Sequence, residues 1–112
     1  MTGMLYLVPT PIGNLSDISV RCRKTLEQAD FIAAEDTRVT LKLLNYLEIK
    51  KPLVSYYEHN KLESGPKIVR RILDGETCVL VSDAGSPAIS DPGEDLVRLC
   101  AEADIPVCAI PG

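Results

Sequence analysis

Short apolar runs, rich in β-branched residues, recur at residues 4–8, 31–34, 52–56, 77–81 and 106–110, with amphipathic helical patterns between them. Runs of that length, bounded by turn residues, read as strands. A strict alternation of five strands with four helices leaves few topologies open. Right-handed βαβ crossovers give an α/β fold, a mostly parallel five-stranded sheet with helices on both faces.

The helical faces are readable in the spacing. Ile18, Cys22, Leu26 and Ala29 form one stripe, and Leu41, Leu44 and Leu47 a second. In the third, Pro66 reads as an early helical position ahead of Ile68, Val69, Ile72 and Leu73, and Gly75 suits the left-handed position that closes a helix. Whether this helix starts nearer His59 stays open. For the fourth, Asp91 reads as the cap, Pro92 as the next position and Glu94 as the partner in a capping box, with Leu96, Leu99, Cys100 and Ala103 facing the core.

Composition excludes several classes of function. The longest apolar stretches, such as residues 4–8 and 78–81, fall far short of the roughly 20 residues a membrane helix needs. The first residues carry neither a basic segment nor a cleavage-site pattern, so a cytoplasmic protein is expected. Cys22, Cys78, Cys100 and Cys108 form no C-x-x-C pair and His59 is the single histidine, so buried reduced thiols are expected and a metal centre is not. With a net charge of −4, the chain should owe little of any nucleic-acid grip to its own surface.

Ligands of open parallel sheets bind beyond the carboxyl ends of the strands. Four such segments are rich in punctuation: Pro9, Thr10, Pro11, Ile12 and Gly13 after the first strand; Glu35, Asp36 and Arg38 after the second; residues 82–93 after the fourth; and Pro111 with Gly112 after the fifth. The connection over 82–93 is longer than the usual two to six residues. Gly85 lets backbone amides approach a ligand, Pro87 and Pro92 stiffen the path, and Asp83 and Ser86 offer oxygens; a rigid turn capped by Asp83 and Asp91 explains the same residues. Neither G-x-G-x-x-G nor the G-x-x-x-x-G-K-[ST] phosphate loop occurs, which disfavours a conventional NAD or ATP domain. Glu35, Asp36 and Arg38 suit a helix cap better than a ligand. His59, among Tyr56, Tyr57, Glu58 and Asn60, reads as part of a polar helix entrance rather than a base. The cations Arg21, Arg23, Lys24, Lys67, Arg70 and Arg71 fall among acids and read as solvated faces.

Three segments together, residues 7–15 (LVPTPIGNL), 34–38 (AEDTR) and 82–93 (SDAGSPAISDPG), resemble the tetrapyrrole methylase superfamily, and within it the branch that methylates small-subunit ribosomal RNA. The resemblance runs in order along essentially the whole chain. Tyr57 stands where many relatives carry histidine, which weakens His59 further. The resemblance implies a two-domain class III methyltransferase acting as a homodimer, of which residues 1–112 are the N-terminal domain and the C-terminal domain lies outside this chain. S-adenosyl-L-methionine is the implied cofactor, held by Pro9, Thr10, Pro11, Gly13, Asp83, Ala84, Gly85, Ser86, Pro87, Ile89 and Gly112. The implied reaction is 2′-O-methylation of a cytidine in 16S ribosomal RNA, with the small ribosomal subunit as partner, no metal and no membrane. Asp36, Glu35 and Asp83 are the carboxylates placed to serve as base, and the sequence does not choose among them. Two alternatives remain: transfer to a tetrapyrrole or other small molecule, and a non-catalytic ligand-binding α/β module.

Overall fold

The computed structural model describes residues 2–11, 14–83 and 90–111, with Asp83 described for its backbone. Five strands, β1 (Leu5–Thr10), β2 (Phe31–Ala34), β3 (Leu53–Ser55), β4 (Cys78–Asp83) and β5 (Val107–Ala109), form one sheet in the order β3-β2-β4-β1-β5. Every pairing is parallel, with Leu5 beside Cys78 and Val107, Phe31 beside Cys78, and Ile32 beside Leu53.

Four α-helices lie among the described residues: α1 (Val20–Gln28), α2 (Thr37–Leu47), α3 (Lys61–Leu73) and α4 (Asp91–Glu102). The period-2 pleat of the strands sorts them onto two faces. Ile32, Ala34, Val79 and Val81 point into a core shared with Cys22 and Leu26 of α1 and Leu43, Leu44 and Leu47 of α2. Phe31, Ala33, Cys78 and Leu80 point the other way, into Ile68 and Ile72 of α3 and Leu96 and Cys100 of α4. Central strands buried on both sides must be apolar throughout, which is why these runs do not alternate with polar residues.

Several local expectations are corrected. Leu41 is 49% exposed, because the buried stripe of α2 is Thr40, Leu43, Leu44 and Leu47. Leu73 is likewise exposed, since Gly65, Ile68 and Ile72 already fill the inner face of α3. Pro66 is interior to α3, which starts at Lys61; the carbonyl it leaves without an amide partner belongs to Leu62, an exposed residue. The cap of α4 is Ser90, whose hydroxyl accepts from the amide of Gly93 at 3.2 Å, so Asp91 and Pro92 are helical residues rather than cap and first position. Gly75 does close α3, at φ 107°, with Glu76 N–H reaching Arg71 O and Gly75 N–H reaching Ile72 O.

The amino-terminal edge of the sheet is sealed by structural contacts. Arg71 grips Glu76 through Nε and a terminal nitrogen at 2.8 and 2.9 Å, while its guanidinium lies 3.7 Å from the centroid of the Phe31 ring. This pairing raises the Arg71 pKa and holds the Glu76 carboxyl below its ordinary value. Gly3 admits no side chain, since a Cβ there would sit 1.9 Å from the Glu76 carbonyl oxygen.

On the α3/α4 face, buried Tyr56 donates its hydroxyl to the Pro92 carbonyl and so ties the end of β3 to the start of α4. Burial, with the nearby Asp95 charge second, pushes the Tyr56 hydroxyl up to about 12. Tyr56→Phe should therefore cost about 1 kcal/mol in urea unfolding, the net worth of one buried hydrogen bond. A midpoint unchanged from the parent would show that this bond contributes nothing.

Candidate functional site

The helix that follows β4, α4, lies on one face of the sheet, whereas those that follow β1 and β2, α1 and α2, lie on the other. Connections that part in this way open a crevice at the carboxyl ends of the strands. A cleft of about 190 Å³ lies there, lined by Thr10, Glu35, Asp36, Val39, Thr40, Val81 and Ser82. Thr10 ends β1, and its hydroxyl donates to the Ser82 carbonyl at 3.0 Å, pinning the tips of β1 and β4 together.

The two acids in the cleft have different duties. Asp36 caps α2: its Oδ1 accepts from the amides of Arg38 at 3.0 Å and Val39 at 3.4 Å. The same oxygen lies 3.7 Å from Nε of Arg38, whose side chain is 91% exposed. Glu35, one residue earlier, caps nothing among the described residues and lines the cleft. The expectation of a cap thus holds for Asp36, while Glu35 remains a carboxylate facing the cleft.

The other sequence candidates are partly placed. Pro9 and Thr10 lie in β1 beside Ser82 and Asp83 of β4, so three strand-end candidates share one pair of strands. Pro11 follows β1 directly, half-buried. β4 extends through Asp83 and α4 begins at Asp91, so the connection covers residues 84–90 and is shorter than the sequence alone suggests. Gly13, Ala84, Gly85, Ser86, Pro87, Ile89 and Gly112 lie outside the described residues. The cleft also includes Val39, Thr40 and Val81, which the strand-end rule applied to the sequence does not reach, and Ser82, the first residue of a segment that it does.

His59 is exposed and stands edge-on to Tyr57, with ring centroids 5.9 Å apart, on the turn that Asn60 fastens by accepting from the Tyr57 amide and donating to the Ser55 carbonyl. That turn lies beyond β3, at the rim of the sheet, and none of its residues lines the cleft. Cys22, Cys78 and Cys100 are buried and unpaired, with burial raising the thiols of Cys78 and Cys100 above the ordinary value, so they are packing residues. Among the described residues no cluster of metal-ligating residues occurs and no helix is long and apolar enough to cross a membrane.

Comparison with known proteins places this architecture. The family model for tetrapyrrole (corrin/porphyrin) methylases matches residues 4–112. The chain is 56% identical over 110 residues to the ribosomal RNA small subunit methyltransferase I of Halalkalibacterium halodurans and 54% identical to that of Bacillus subtilis, covering 98% of this chain in each. It spans 38% of the length of those two relatives. Among solved structures, uroporphyrin-III-C-methyltransferase from Thermus thermophilus matches all of the chain and 48% of its own with a TM-score of 0.73 at 20% identity. A diphthine synthase matches 98% of this chain and 44% of its own with a TM-score of 0.76 at 16% identity, so both share the fold. Fold and sequence agree: the chain belongs to the tetrapyrrole (corrin/porphyrin) methylase family.

Proposed function

We propose that this chain is the N-terminal domain of an S-adenosylmethionine-dependent methyltransferase that acts on small-subunit ribosomal RNA, at the ribose 2′-hydroxyl of a cytidine. The observation carrying the proposal is the 50–56% identity, over nearly the whole chain, to relatives named for methylation of that RNA. In this reading the remaining length of those relatives corresponds to a second domain that closes the cleft, and the enzyme works in the cytoplasm as a homodimer.

The described lining suits part of such a cofactor. A cleft of about 190 Å³ is below the roughly 300 Å³ of a pocket for a drug-sized ligand, so it takes one portion of the molecule. Hydroxyl oxygens of Thr10 and Ser82 match hydroxyl and amino groups. Bound, the cofactor supplies an electrophilic methyl group on a sulfonium. The chain's own residues have two tasks: β1 and β4, tied at Thr10 and Ser82, fix the floor on which the reactants are aligned. A carboxylate oxygen of Glu35, which caps nothing among the described residues, then takes the proton of the attacking hydroxyl, while Oδ1 of Asp36 holds the start of α2.

Calorimetric titration of S-adenosylmethionine and S-adenosylhomocysteine into the full-length protein tests the cofactor assignment. Saturable binding of both is expected. Failure of both to bind, under conditions where the protein is folded, would remove the basis for a methyltransferase.

A further inference from the structure

We propose that the outer face of α2 is a track for the phosphate backbone of single-stranded RNA, running from the mouth of the cleft to Lys50 and Lys51. The inference rests on the RNA-methylating reading above and adds the surface that grips the substrate.

The starting observation is local charge. Between Thr37 and Pro52 the chain carries four cations, Arg38, Lys42, Lys50 and Lys51, against one acid, Glu48, so this stretch is +3 in a chain whose net charge is −4. The cations are also placed to act together. An α-helix turns 100° per residue, so with Thr40, Leu43, Leu44 and Leu47 buried, the line directly opposite the core passes through Arg38, Lys42 and Asn45. All three are exposed, and Tyr46, 54% exposed, stands on the flank of that line.

Elsewhere, cations are mostly neutralised. Lys61 pairs with Glu58 and Asp95, Lys67 with Glu63 at 3.2 Å, Arg71 with Glu76, Arg23 with Glu27 at 3.2 Å, and Arg98 with Asp95 at 3.3 Å. Lys42, Lys50 and Lys51 make no ion pair among the described residues, and Arg38 reaches Asp36 only at 3.7 Å. Cations beside an exposed aromatic ring, three of them without an ion pair among the described residues, are what a single strand requires: charge for phosphates and a platform for a base. Leu41, Asn45, Lys50 and Lys51 border a shallow hollow of about 420 Å³ at the far end of the helix, with room for a base turned out of the strand.

The position matters as much as the charge. Val39 and Thr40, in the first turn of α2, line the cleft, so the track starts where the reacting ribose must enter. A helix of 11 residues extends it by about 16 Å. The acidic balance of the whole chain therefore coexists with one basic path leading to the site.

The test is fluorescence anisotropy of the full-length protein with a short fluorescein-labelled single-stranded RNA, over about 50 to 200 mM potassium chloride. Neutralising Arg38, Lys42, Lys50 and Lys51 together to Ala should make the slope of log affinity against log salt shallower by about 0.7 for each phosphate that goes unneutralised, about two to three in all. Should the quadruple variant fold poorly, Lys42→Ala alone should still lower the slope by about 0.7. Tyr46→Ala should weaken binding about 10-fold while Tyr46→Phe keeps it. Lys67→Ala with Arg70→Ala, on α3, serves as the control and should leave the slope unchanged. An unchanged slope for the α2 variants, an equal loss from the α3 pair, or binding to vesicles of anionic phospholipid without binding to RNA would overturn the proposal. Methyl transfer with an unchanged α2 slope would sink this inference alone; an α2-dependent slope without methyl transfer would sink only the proposed reaction.

Discussion

Glu35→Gln is expected to lower kcat for methyl transfer by about 100-fold or more, with little change in unfolding midpoint or in affinity for the methyl donor. A ribose hydroxyl is a weak acid, so the proposed reaction would depend on a carboxylate that can receive its proton, and an amide of the same shape cannot. The neighbouring acid provides the contrast. Asp36 accepts from two backbone amides at the start of α2, so Asp36→Asn keeps an acceptor there and should retain activity within a few-fold. Asp36→Ala removes the cap and should cost about 1 kcal/mol of stability. Steady-state kinetics paired with urea unfolding separate the two residues. A large loss of kcat in Asp36→Asn with none in Glu35→Gln would reverse the assignment.

Phe31→Ala should destabilise the domain by about 3–5 kcal/mol, a large share of the roughly 5–15 kcal/mol that holds a typical domain together. Phe31 opens β2 next to the central strand, is wholly buried, and carries the Arg71 guanidinium on its ring, so truncation leaves a cavity and strips that cation of its aromatic partner. Urea unfolding followed by circular dichroism measures the loss. A cost near 1 kcal/mol would mean that α3 and the sheet collapse around the gap, and that the α3/α4 face is looser than its packing implies.

The fold was legible where burial on two sides leaves one pattern open. β2 and β4 are continuous apolar runs because helices cover both faces, and β2 lies at Phe31–Ala34 as its run indicates. The edge strands are harder to bound: β3 and β5 have a neighbour on one side only, and each is three residues, shorter than its apolar run. Helix starts depend on single hydrogen bonds. Ser90 displaces Asp91 as the cap of α4, and Ser19, whose hydroxyl accepts from the Cys22 amide, caps α1; only the backbone path decides which oxygen reaches an amide. Asn14 caps the short 3-10 turn Leu15–Asp17.

The site was legible as an edge rather than as a pocket. Thr10, Glu35 and Asp36 follow from the rule that ligands gather at carboxyl ends of strands. Val39 and Thr40 do not, because their part in the wall depends on how α2 is rotated. The basic face of α2 is hidden in the sequence for the same reason, with cations at 38, 42, 50 and 51 and the net charge of −4 pointing the other way.

The cleft beyond β1, β2 and β4 is proposed to serve methyl transfer to ribosomal RNA. The most direct measurement incubates the full-length protein with methyl-labelled S-adenosylmethionine and small ribosomal subunits lacking the modification, then maps the label in the RNA. Stoichiometric label on one ribose 2′-hydroxyl, abolished by Glu35→Gln, is the expected result. Label on a base, or transfer to a tetrapyrrole precursor with none to the subunit, would contradict it.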